Sequence, residues 1–241
     1  MTVPPLRLHV EAWSLCPQAQ RVKIAAGLRG LAVVHRVTSG GEPQSTAIVP
    51  TVLTLSRAGL ADHVLTDGLA MVELVEDLFP AQSLHPRDAG VRAVHRELMA
   101  LGAEAQTRLS RATRERNPQD LDLALGGLQA RLARIETLLA AHAYRPGHGL
   151  SNVDVVLAPT LWRLQILDGQ VQSHLLSGHP RLRHWAEWLV GQPVVRDTLS
   201  AEAADLYFAV LHARRAAIVN PDIAVAWRAL MGPEIGLRGA G

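Results

Sequence analysis

Cys16 is the sole cysteine of the sequence, and Pro17, Gln18, Ala19, Gln20 and Arg21 follow it. A lone cysteine forms no internal disulfide and supports no cysteine-based structural zinc site. Such a residue is usually a small buried hydrophobe, but the neighbours of this one point elsewhere. Proline is favoured in the first turn of a helix, where its missing N–H would be unpaired anyway. Pro17 therefore puts Cys16 at a helix N-terminus, where unpaired amides and the positive end of the dipole stabilise a thiolate. Ala19 stands where a dithiol oxidoreductase carries its second cysteine. The chemistry that fits is exchange by a single thiol: a mixed disulfide forms on Cys16 and an external thiol releases it. Arg21, about one helical turn further on, is expected to be structural, most simply in a salt bridge.

The elements that position this cysteine are legible around it. Leu6 to Val10 alternates as a strand. The helix opened by Pro17 sets Val22, Ile24, Ala25 and Leu28 on one face, and Gly30 stops it. Leu31 to Val37 reads as a second strand. A polar, glycine-rich stretch from Thr38 to Ala47 leads through Val49-Pro50 into a third strand, Thr51 to Leu55. A turn and a short strand at His63 to Leu65 follow, and Asp67 then caps a helix ended by Pro80. The order β-α-β-β-β-α predicts an α/β unit with a mixed sheet. Beyond about residue 85 the periodicity is helical, with helices expected near 88–115, 119–142, 151–167, 181–191 and from 196 onward. The expected division is a unit over 1–80, a linker over 81–88, and an all-helical unit over 89–241 with a C-terminal extension from about 201. Leu150-Ser151-Asn152-Val153-Asp154-Val155 reads as a capping box with an apolar staple, a folding signal rather than a catalytic one.

Composition narrows the function classes. A net charge of +2 with no basic stripe among aromatics argues against a nucleic-acid partner. The basic run from Arg108 to Arg116 reads as a solvated helix face or a dimer contact. No apolar run approaches the roughly 18–20 residues that span a bilayer, so no membrane partner is expected. The N-terminus lacks the layout of a signal peptide, which makes a cytoplasmic location the default. Eleven histidines show no spacing that suggests a metal site, and none is expected. Lys23 as the only lysine among many arginines suggests a GC-rich bacterial genome.

Three motifs together resemble one family. Ser14-Leu15-Cys16-Pro17 through Arg21 resembles the active-site segment of cysteine-type glutathione transferases, above all the omega class and its dehydroascorbate-reductase relatives. Val49-Pro50 resembles the Val-Pro of thioredoxin-fold thiol-binding proteins, whose proline is cis. The box at Ser151 to Asp154 followed by Ala158-Pro159 resembles the start of the family's buried central helix. The resemblance covers roughly residues 6–200. It implies the glutathione-transferase fold: an α/β N-terminal thioredoxin-like domain plus an all-α C-terminal domain. It further implies glutathione as thiol co-substrate, a small electrophile or disulfide as second substrate, and a homodimer. Cys16 is then the catalytic residue, with Ser14 its rival as the hydroxyl that activates glutathione. Val49 and Pro50 would hold the cysteinyl part of glutathione, and Asp67 and Gly68 the γ-glutamyl part.

Two departures accompany the resemblance. The family places a serine after the acidic residue where this sequence has Gly68, and a lost hydroxyl to a charged group costs about 1.5–3 kcal/mol. The stretch from Thr38 to Ala47 is too short and glycine-rich for the helix the family places there, and is expected to be a loop. Trp13, His95 and Met99 are acceptor-site candidates by position, and Trp162, Trp185 and Trp188 are expected in the helical core. Two rival readings stand beside thiol transfer, reduction or conjugation. One is a pathway-dedicated relative for sulfur incorporation or ether cleavage in bacterial secondary metabolism. The other is a non-catalytic binding protein resembling the stringent starvation proteins.

Overall fold

The computed structural model describes residues 6–38, 50–57, 59–142 and 149–220 of the chain. Four strands, β1 (Arg7–Ala12), β2 (Val33–Val37), β3 (Val52–Ser56) and β4 (His63–Leu65), form one sheet in the order β2-β1-β3-β4. β1 and β2 are parallel, joined through helix α1 (Pro17–Gly27), whereas β3 runs antiparallel to both β1 and β4. Leu8 pairs with Leu55 and Val10 with Leu53, so alternate residues of both central strands share one buried face. Helix α1 and helix α2 (Gly68–Leu78) bury Val22, Ile24, Ala25, Met71, Val72 and Val75 in the same core. β2 begins at Val33, two residues later than its apolar run. Gly30 takes φ +65, and the Leu31 amide folds back to the Ala26 carbonyl (2.9 Å), so Leu31 closes the helix before the strand starts.

The second half is helical: α3 (Ala89–Ala112), α4 (Pro118–Ala141), α5 (Asn152–Val171), α6 (Pro180–Val190), α7 (Pro193–Thr198) and α8 (Ala201–Ala213). α5 is the central helix, its residues buried without interruption from Asn152 to Leu164. It packs on α3, α6 and α1, and so meets the sheet unit. Its start is the expected capping box. The Ser151 amide donates to the Asp154 carboxylate (2.7 Å), and the Asp154 amide approaches Ser151 Oγ at 3.5 Å. The same carboxylate accepts from Nε1 of the fully buried Trp185 on α6 (2.7 Å). α5 runs four residues past its expected end to Val171, where the Asp168 carboxylate accepts from the Leu175 and Leu176 amides (2.7 and 3.0 Å).

One buried acid joins the two halves. Glu76 on α2 pairs with Arg29 at the end of α1 and accepts from the Ser83 hydroxyl and the Leu84 amide (3.0 Å). It also accepts from the His85 amide (3.3 Å) and from Asn152 Nδ2 at the start of α5 (3.0 Å). Burial alone would raise the Glu76 carboxyl, but the bonds from Ser83, Asn152, Leu84 and His85 outweigh it and hold the group below the usual carboxylate range.

Candidate active site

Cys16 is the N-cap of α1, with extended backbone (φ −62, ψ 121) and Pro17 at the first helical position. Its amide donates to the Trp13 carbonyl (2.9 Å), closing a tight turn, and its carbonyl accepts from the Gln20 amide (3.0 Å). The thiol is half-buried and carries no side-chain capping bond. Its Sγ lies 2.7 Å from Oγ1 of Thr51, a buried residue that enters β3 directly after Pro50. Either group can donate in this bond; toward a thiolate, which has no proton to give, the hydroxyl is the donor.

Two buried guanidinium groups stand behind the turn. Arg21 Nε donates to the Val156 carbonyl of α5 (3.0 Å), so the expected salt bridge is corrected to a bond with a backbone oxygen. α5 is packed against this face of α1, and what it offers there is a main-chain carbonyl rather than a carboxylate. Arg163 on α5 donates through Nη2 to the Leu15 carbonyl and through Nη1 to the Pro159 carbonyl, both at 2.6 Å. Each residue is 3% exposed, and neither meets a carboxylate at ion-pair distance among the described residues. Burial, then the charge of Arg163, pull the Arg21 guanidinium down to about 10, opposed by Cys16 and Asp67. Burial lowers Arg163 too, opposed by Tyr207 and Cys16. Both arginines thus sit within electrostatic reach of the sulfur.

The second helix start lies beside the first. Asp67 caps α2, its carboxylate accepting from the Leu69 and Ala70 amides (2.9 and 2.8 Å). Gly68 is buried under Gln18 of α1: a Cβ there would meet Gln18 Cγ at 2.8 Å. The structure therefore brings Cys16, Thr51, Gln18, Asp67 and Gly68 to adjoining ends of α1, α2 and β3. Pro50 is exposed at the same edge, while Val49, the Val49-Pro50 bond and the segment 39–49 lie outside the described residues. Ser14 is on the turn, but among the described residues the hydroxyl bonded to Sγ is that of Thr51.

The positional candidates sort differently. Trp13 is partly buried, and the Arg214 guanidinium just beyond α8 lies 5.4 Å from its ring centre. His95 and Met99 are buried in α3, and burial lowers His95. Trp162 and Trp185 are in the core and Trp188 lies against it. Sequence reasoning missed Thr51 and Arg163. Thr51 adjoins a motif already singled out, and Arg163 is a solitary charge in the apolar run from Val155 to Leu167.

These elements define the glutathione-transferase fold: a small mixed four-stranded sheet unit followed by a helical domain. Residues 92–193 match the family model described as glutathione S-transferase, C-terminal domain. Solved structures agree in fold. A Tau class glutathione S-transferase from mango (Mangifera indica) superposes with a TM-score of 0.66 at 17% identity, covering 85% of this chain and 98% of that one. Glutathione transferase Omega 3C from Trametes versicolor gives 0.64 at 21%, covering 81% and 90%. Maleylacetoacetate isomerase from Anaeromyxobacter dehalogenans, solved with glutathione bound in its active site, gives 0.60 at 20%, covering 81% and 95%. No curated protein matches the chain. No helix among the described residues is long and apolar enough to cross a membrane, and these residues hold no cluster of three metal-ligating side chains.

Proposed function

We propose that the protein is a glutathione-dependent enzyme of the cysteine type, in which Cys16 carries out thiol transfer. The observation that carries this reading is the placement of Sγ: at the start of α1, 2.7 Å from the Thr51 hydroxyl and in front of two buried arginines. The Cys16 thiolate attacks a sulfur of a substrate–glutathione disulfide. The S–S bond breaks, the substrate thiolate leaves, and glutathione remains on Cys16. A second glutathione thiolate attacks that mixed disulfide, releasing glutathione disulfide and restoring the Cys16 thiolate. The net exchange converts the substrate–glutathione disulfide and one glutathione thiol into the substrate thiol and glutathione disulfide, with no outside oxidant or reductant.

Glutathione occupies the edge built from Val49, Pro50, Asp67 and Gly68, its γ-glutamyl carboxylate toward the α2 amides. The second substrate enters between the sheet unit, over residues 1–80, and the helical unit from residue 89, joined by a linker over 81–88. The protein works as a cytoplasmic homodimer of bacterial origin. A second reading, a relative dedicated to one pathway for sulfur incorporation or ether cleavage in bacterial secondary metabolism, is favoured by Gly68. The side chain of Gln18 occupies the space a serine would need.

Calorimetric titration with glutathione, paired with turnover of a glutathione mixed disulfide by the wild type and Cys16→Ser, tests the reading. Binding with loss of turnover in the serine variant is expected. Full turnover by Cys16→Ser would overturn it.

A further inference from the structure

Arg163 is the one cation in the uninterrupted buried stretch of α5 from Asn152 to Leu164. Taking a guanidinium out of water without a carboxylate costs several kcal/mol, so its surroundings must compensate. They do so in one direction. Both donor arms end on carbonyl oxygens, Pro159 in its own helix and Leu15 in the turn before Cys16. Its carbon lies 5.2 Å from the Trp162 ring centre and 5.3 Å from that of Tyr207, a buried residue of α8. The fork is rigid and planar. Resting against the ring of its own helix and that of α8, whose centres lie 6.0 Å apart, it reaches the peptide next to the sulfur.

We propose that Arg163 is the positioning residue of the Cys16 turn, and that Tyr207 of α8 holds it there. The helical domain, through α5 and α8, is thereby part of what makes the thiol reactive. The bond to the Leu15 carbonyl fixes the backbone that aims Sγ, and the fixed positive charge favours the thiolate. The proposal rests on Cys16 being the reactive thiol and goes further. It assigns part of that reactivity to a residue of α5, 147 positions away in the sequence, that bonds to the Leu15 carbonyl next to the cysteine.

The test is the rate of alkylation of the sole cysteine by iodoacetamide against pH, in the wild type, Arg163→Gln, Arg163→Lys and Tyr207→Leu, each checked for fold by circular dichroism. Arg163→Gln is expected to displace the profile to higher pH, slowing alkylation at neutral pH about tenfold for each unit of displacement. Arg163→Lys, which keeps the charge without the fork, returns part of the rate. Tyr207→Leu shifts the profile in the same direction by less. In turnover of a mixed disulfide, kcat falls in Arg163→Gln while KM for glutathione holds. A folded Arg163→Gln with the wild-type profile overturns the proposal. If that variant does not fold, an unshifted Tyr207→Leu profile does so. Wild-type Cys16 alkylating no faster than free glutathione would instead refute the reading of Cys16 itself, and this inference with it.

Discussion

Removing the Glu76 carboxylate tests whether the junction is held as described. Glu76→Gln keeps the volume but leaves the Arg29 guanidinium, whose side chain is 1% exposed, without its counter-charge. Breaking a buried pair by neutralising one partner costs about 3–5 kcal/mol. For a chain of this size each kcal/mol lowers Tm by about 2–4 °C, so the variant should melt roughly 6–20 °C below wild type. The glutamine oxygen still accepts from one of the Leu84, His85 and Asn152 donors, which places the loss toward the lower end. Neutralising Arg29 as well should recover part of it. Urea unfolding of wild type, Glu76→Gln, Arg29→Met and the double variant closes a cycle, with an expected coupling of about 1–3 kcal/mol. The pH dependence has a definite sign. The folded state holds this carboxyl below its ordinary value, so its stabilisation is full above about pH 4.3 and is lost as pH falls through the folded value. Wild type and Glu76→Gln should therefore converge in acid. A Glu76→Gln protein within about 1 kcal/mol of wild type at neutral pH would refute the reasoning.

Thr51→Val removes the hydroxyl at Sγ while keeping the shape. A bond to a charged group is worth about 1.5–3 kcal/mol, so Cys16 alkylation at neutral pH should slow about tenfold or more with little change in Tm. Gly68→Ser sets a Cβ against Gln18 Cγ and should weaken glutathione binding by calorimetry; Gln18→Ala in the same chain should restore it. Asp154→Ala removes half of the capping box and the acceptor of Trp185 Nε1, and should lower stability by about 2–4 kcal/mol, followed by tryptophan fluorescence in urea. His179 is buried with Nε2 2.7 Å from Gln129 Oε1, and burial, opposed by Glu136, holds it below its ordinary value. Its contribution is full above about pH 6.5 and declines as pH falls, so the urea midpoint should drop between about pH 7 and 5.5, less so in His179→Asn.

The parts of the fold written in short-range chemistry were legible in the sequence. Pro17 announced the start of α1, Gly30 its stop, Asp67 the cap of α2, and Ser151 with Asp154 the start of α5. Each is a local backbone requirement met by a local side chain. The site was legible only on one side. Cys16 and Asp67 announce themselves because helix N-termini have a sequence signature. Thr51 and Arg163 do not: their roles depend on which strand or helix the fold lays against the cysteine. The reading of Arg21 shows the same limit. A charge expected to be structural suggests a carboxylate partner, yet α5 answers it with the Val156 carbonyl, and no pattern around Arg21 reports that.

The same interface carries both the contacts that hold the two units together and the two arginines to which the proposed reactivity is assigned. Glu76 gathers α1, α2, the linker and α5 at one end of the contact, where burial and counter-charge hold the units together. Arg21 and Arg163 cross it at the other end, beside the thiol, and among the described residues neither meets a carboxylate at ion-pair distance. A buried cation without an acid is a poor device for stability, because its desolvation is unreturned. It is a good device for keeping a neighbouring sulfur negative without a base to take its proton. Mutations at the first end should shift Tm and leave the alkylation profile in place. Mutations at the second should move the profile even where Tm rises, as replacing a buried charge by an apolar residue often allows.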